Sequence, residues 1–171
     1  MLAEASDNVD DKNIDISCIK SLILGAEFIQ PDTVKKFISA VKVYGFNENS
    51  LTVNYGLTET CSSISTTEFK AGMHAVYIDE NGEPNDFECG KPVYSVGYMI
   101  DGNEVMIIDN ESGKSVENGK IGEVCLSGSS VLENYWNLNS DETFIVIEGK
   151  RYFRTGDLGF IVLNHNRKEL F

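Results

Sequence analysis

The stretch 51-LTVNYGLTETCSS-63 decides how this chain is read. Leu51 to Asn54 is a short strand-like run, and it stops at Tyr55-Gly56, where a glycine turn is followed at once by two threonines and a glutamate. Glycine lets the backbone approach a ligand closely, a tyrosine ring offers a flat face, and hydroxyls donate to anionic oxygens. Working upstream, 31-PDTVKKFISAVKVYG-45 places Pro31 at a first helical position. Val34, Phe37, Ile38 and Val41 then follow the i, i+3, i+4, i+7 spacing of one buried face, leaving Lys35, Lys36 and Lys42 outward. Further upstream, Ser21 to Leu24 is a short apolar strand that breaks at Gly25. Strand, helix, strand predicts a parallel α/β arrangement.

Downstream of residue 63 the texture changes to short strands separated by turn residues. Expected strands are Met73 to Asp79, Val93 to Met99, Glu104 to Asp109, Gly122 to Ser127, Arg151 to Arg154 and Gly159 to Leu163. Asn81-Gly82 and Asn118-Gly119 are strong turn dipeptides. The expected organisation is a loose segment 1–15, an α/β portion 16–90 and a β-rich, barrel-like portion 91–171. Three glycine-marked stations, "GAE" at 25–27, "YGLTET" at 55–60 and "RTGDLG" at 154–159, each follow an expected strand. In open α/β sheets ligands gather beyond the carboxyl ends of strands, so these stations are expected to line one cleft.

Composition narrows the function. The 171 residues carry a net charge of −13 with 14 basic side chains, which argues against a nucleic-acid backbone as partner, since basic side chains supply most of that affinity. A phosphate ligand then needs a local counter-charge, and Mg²⁺ is the simplest: unit charges 4 Å apart interact by roughly 4 kcal/mol at an effective dielectric near 20. Glu59 suits that hard cation, and Asp157 suits a ribose diol. The start of the chain lacks the basic and apolar regions of a signal peptide, and no apolar run reaches membrane-spanning length, so a cytoplasmic location is expected. Cys18, Cys61, Cys89 and Cys125 are too widely spaced for a zinc site or a small disulfide framework and read as reduced thiols. His74 and His165 read as isolated, Tyr135-Trp136 as packing for the β-rich portion, and the acidic run 79–88 as a solvated turn, because Gly82 misses the EF-hand glycine position.

Taken together, "NYGLTETCSS", "IGEVCLSGSSVLENYWN" and "YFRTGDLGFI" resemble three successive motifs of the adenylate-forming (AMP-binding) superfamily. "YSVGYMIDGNEVMIID" is similar to the segment joining the first two, with Tyr98-Met99 where the family has a proline. The cadence from Ile16 to Thr60 looks most like fatty acyl-AMP ligases, and Phe69 to Glu88 stands where those ligases carry an insertion.

The resemblance implies a partial large domain: a parallel α/β portion plus a small distorted β-barrel. It implies ATP and Mg²⁺ as cofactors and a fatty acid or other carboxylate as substrate. The acyl acceptor would be the thiol of an acyl carrier protein or of CoA. Gly25, Ala26 and Glu27 would wall the pocket, and Asn54, Tyr55 and Gly56 would bind the nucleotide, with Tyr55 stacked on the adenine. Thr58 would hold the α-phosphate, Glu59 the metal and Asp157 the ribose, so that Thr58 and Glu59 are the catalytic pair. The family's phosphate-gripping loop belongs upstream of "GAE" and its mobile C-terminal domain downstream of "KELF", so the chain reads as a fragment inactive on its own. An acyl-CoA synthetase, an amino-acid adenylation domain and a non-catalytic binding module retaining the fold are the alternatives.

Overall fold

A computed structural model describes residues 14–85, 90–137 and 141–171 of the chain. It opens with the expected βαβ unit. Strand β1 (Leu22–Leu24) pairs in parallel with β2 (Leu51–Tyr55), Leu22 opposite Leu51, across helix α1 (Pro31–Lys42). The helix starts where Pro31 supplies a preset φ with no amide to satisfy, carries Asp32 in its first turn and Lys42 in its last, and so complements its own dipole. Its Val34 packs with Phe46 and the fully buried Leu51, joined by Phe37, Ile38 and Val41, while Lys35, Lys36 and Lys42 are exposed. Gly25 follows β1, and glycine is required there because a Cβ would stand 2.7 Å from the Asn54 carbonyl oxygen of the neighbouring strand.

Beyond β2 the sheet continues with strands drawn from far along the chain. β3 (Ser65–Thr66), β7 (Gly97–Met99), β13 (Arg167–Leu170) and β12 (Ile161–Asn164) extend it in the order β1-β2-β3-β7-β13-β12. The four added strands pair antiparallel. Residues from both sides of position 90 therefore share one sheet.

A small antiparallel sheet holds β5 (Pro84–Asn85), β4 (Ala75–Ile78) and β6 (Lys91–Tyr94). Asp79 accepts the amides of Asn81 and Glu83 to turn the acidic run, as expected of a solvated turn. The expected run Val93 to Met99 is not one strand. Gly97 adopts φ +87°, with Thr66 O only 2.0 Å from where a Cβ would sit, and its amide bonds back to Ser95 Oγ at 2.9 Å. That kink ends β6 in one sheet and starts β7 in another.

The remaining strands, β8 (Asn103–Ile108), β9 (Gly122–Gly128), β10 (Phe144–Ile147) and β11 (Lys150–Gly159), form a four-stranded antiparallel sheet in the order β10-β11-β9-β8. β9 is buried along nearly its whole length, and its Val124 and Leu126 meet Ile64, Val105, Ile161 and Leu170 in the core between this sheet and the six-stranded one. The architecture is thus α/β followed by β-rich, as the sequence suggests. Two parts of the sequence reading, the whole loose segment up to Asn13 and the last residues of the Phe69 to Glu88 stretch, lie outside the described residues. So does Cys89, while Cys18, Cys61 and Cys125 carry free thiols.

Candidate functional site

The turn after β2 is built by its own side chains. Thr60 is fully buried, and its hydroxyl accepts the Leu57 amide at 2.9 Å and reaches the Leu57 carbonyl at 3.0 Å. This folds Thr58–Thr60 into a 3-10 turn that closes with Cys61 in the left-handed region at φ 55°. Gly56 is required by close approach, since a Cβ there would lie 1.5 Å from the Ser62 carbonyl oxygen. Asn54 is fixed at the strand end, donating to Ser63 Oγ at 3.1 Å and accepting from Thr66 Oγ1 at 2.7 Å. The turn therefore presents Thr58 to solvent and Glu59 half-buried.

The station "RTGD" is not the loop beyond a strand that the sequence suggests. It lies inside the ten-residue β11, whose pairing with β9 slips between Arg154 and Leu158. Such a bulge re-aims side chains without ending the strand. Thr155 Oγ1 donates to the Val124 carbonyl at 2.8 Å and accepts the Asp157 amide at 3.0 Å. Asp157 projects outward, and the Tyr55 hydroxyl donates to its Oδ2 at 2.7 Å, joining two stations 102 residues apart. Burial pushes the Tyr55 phenol well above its usual range; Thr155 opposes this, and the Asp157 carboxylate adds to it.

Around this contact is a cavity of about 540 Å³. Ala26, Glu27, Asn54, Tyr55, Gly56 and Asp157 line it, and much of the remaining wall is apolar, including Phe28 and Phe171. Three of the expected site residues stand outside that lining. Gly25 faces Asn54, Thr58 is exposed on the turn, and Glu59 points instead to the 129–137 segment. There Glu59 Oε1 accepts the Tyr135 hydroxyl at 2.6 Å and its carbonyl accepts the Leu132 amide at 2.8 Å. Tyr135 thus braces Glu59, and Trp136 does not pack the β-rich portion at all, being 89% exposed.

Two further polar features escape sequence reading. His74 is not isolated: its Nδ1 lies 3.1 Å from Oε1 of the buried Glu169 on β13, with its ring edge-on to Phe171. Glu123, buried on β9, is gripped by Arg154. A carboxylate inside the otherwise apolar run "GEVCL" is the signal that would have shown it, because a buried charge requires a partner.

Solved structures share this fold. The fatty acyl-adenylate ligase of Legionella pneumophila, in complex with acyl adenylate and pyrophosphate, superposes with a TM-score of 0.82 at 23% identity, covering 99% of this chain and 32% of that one. The fold is that of part of an adenylate-forming enzyme. Residues 1–136 match the AMP-binding enzyme family, and the chain belongs to it. Among curated relatives it is 25% identical to the long-chain-fatty-acid AMP ligase FadD32 of Mycobacterium marinum, covering 91% of this chain and 29% of that protein. It is 28% identical to FadD21 of Mycobacterium tuberculosis, provisionally named a fatty-acid CoA ligase, covering 90% of this chain and 29% of the relative. The chain thus spans under a third of the length of the relatives it matches.

Proposed function

We propose that this chain is part of a ligase that activates a fatty acid with ATP. In that reaction a carboxylate oxygen attacks the α-phosphorus, the bond to the bridging oxygen breaks, and pyrophosphate leaves an acyl-adenylate. Tyr55 would present its ring to the adenine, a contact worth roughly 1–3 kcal/mol. Asp157 would accept the ribose hydroxyls, Thr58 would donate to the α-phosphate, and Gly25, Ala26 and Glu27 would wall the pocket. The observation that carries the reading is the Tyr55–Asp157 contact at 2.7 Å, which brings a base platform and a diol acceptor together at one cavity.

Glu59 fits Mg²⁺: one carboxylate braced by a phenol suits a cation that keeps waters and takes its other oxygens from phosphates rather than from a protein cage. When bound, that ion neutralises charge on the phosphates. This chain's own part is to place the reacting groups and hold Glu59 on the turn that Thr60 builds.

The acyl group would pass to a carrier-protein thiol, in keeping with the AMP ligase names among the relatives; the CoA ligase name of FadD21 supports CoA as the second reading. Within the described residues no helix is long and apolar enough to cross a membrane, and a cytoplasmic location belongs to this proposal. Calorimetric titration with a non-hydrolysable acyl-AMP mimic tests the site. Asp157→Ala and Tyr55→Ala are each expected to weaken binding roughly tenfold or more, and unchanged affinity in both overturns the assignment. Release of acyl-adenylate by CoA or by a phosphopantetheinylated carrier protein, measured on the full-length parent ligase, decides the acceptor.

A further inference from the structure

Glu123 carries a carboxylate at a position only 4% exposed. A buried carboxylate is costly unless it is paired and hydrogen-bonded. Its partners come from one short stretch of the facing strand. Arg154 Nε donates to Oε2 at 3.0 Å, with Nη2 on the same oxygen, and the Gly156 amide donates to Oε1 at 3.1 Å. These two residues flank Thr155, whose hydroxyl ties the Val124 carbonyl to the Asp157 amide. All of these bonds fall within the span where the β9–β11 register slips, and Gly156 there adopts φ +77°, which favours glycine.

Asp157 itself is exposed and has the Tyr55 hydroxyl on one oxygen. A carboxylate that must accept both hydroxyls of a vicinal diol needs its plane fixed, and an exposed aspartate on an untethered bulge would not supply that. We propose that Glu123, acting through Arg154 and the Gly156 amide, is the positioning residue that sets Asp157 for the two sugar hydroxyls of the nucleotide. The inference rests on the sugar-binding role assigned to Asp157 above.

The test uses the full chain and two probes, a non-hydrolysable acyl-AMP mimic and its 2′,3′-dideoxy counterpart, titrated into wild type, Glu123→Gln and Arg154→Lys. Wild type is expected to prefer the ribose form roughly tenfold, about 1.4 kcal/mol. Both variants are expected to bring that ratio close to one while affinity for the dideoxy form stays within about twofold. A merely structural role would weaken both probes alike, and that result, or an unchanged ratio in folded variants, overturns the proposal. A wild type with no ribose preference removes the sugar role of Asp157, and the reading of the site falls with it. If circular dichroism shows Glu123→Gln unfolded, Arg154→Lys decides alone, since lysine keeps the positive charge at that half-buried position.

Discussion

Replacing Thr60 with valine keeps the shape of a fully buried side chain and removes one hydroxyl. That hydroxyl is the acceptor for the Leu57 amide at 2.9 Å. The Leu57 carbonyl loses little, because the Thr60 and Ser62 amides both still donate to it at 3.1 Å. The cost is therefore one part-buried N–H left without its acceptor, with the Ser62 carbonyl, 3.2 Å from the hydroxyl, also losing a contact, about 1–3 kcal/mol together. Thr60→Ser retains the acceptor and loses one buried methyl, about 1 kcal/mol. Urea denaturation of the three proteins should rank wild type above serine and serine above valine. Midpoints should shift at an unchanged slope, and melting temperature should fall about 2–4 °C per kcal/mol for a chain of this size. A valine variant as stable as wild type, or more stable than the serine variant, would refute the claim that this hydroxyl holds the turn carrying Thr58 and Glu59.

Burial pushes the Cys125 thiol up to about 12, with Glu123 adding and Arg154 opposing. Alkylation at pH 8 followed by peptide mass mapping should therefore label the exposed Cys18 and Cys61 and spare Cys125 in the folded protein. Burial raises the Glu169 carboxyl, but donation from Ser95, Asn164 and His74 outweighs it and holds the group below the usual carboxylate range. A depressed folded value means stability that is present above the unfolded value of about 4.3 and lost as pH falls through the folded one. Glu169→Gln should accordingly cost about 1–2 kcal/mol near neutrality, with the gap to wild type closing below about pH 4 in denaturation curves; a gap constant with pH sinks this account. Gly97→Ala should destabilise by about 1–3 kcal/mol, because its Cβ would stand 2.0 Å from the Thr66 carbonyl oxygen at a positive φ; an equal melting temperature would contradict the crowding.

The opening βαβ unit was legible because its signals are local: a 3.6-residue apolar spacing, Pro31 at the helix start and glycines at the breaks. Strand β13 was not, since Arg167, Lys168 and Glu169 show no alternation of apolar residues. It is a strand because β7 and β12 flank it and Glu169 turns inward to His74. The kink at Gly97 depends on the Thr66 carbonyl, far back along the chain, so no local pattern could split that run. At the candidate site, residue types marked the stations, but the bulge at 154–158 and the grip of Tyr135 on Glu59 arise from pairing between distant segments. Trp136 was misjudged because burial is the usual fate of tryptophan, and nothing in its neighbourhood announces an exposed one.

The strand order of the largest sheet bears on how the chain acquires its structure during synthesis. β1 and β2 precede the other strands of their sheet along the chain, yet that sheet is completed only by β13, whose last residue is Leu170. A ribosome that has delivered everything up to Met99 has left β7 with one open flank, and nothing made before residue 167 closes it. Such long-range pairing folds slowly and leaves a sticky border in nascent intermediates. Halting translation between Met99 and Arg167 should therefore yield species that need a chaperone, whereas a nascent chain extended past Leu170 can seal the border.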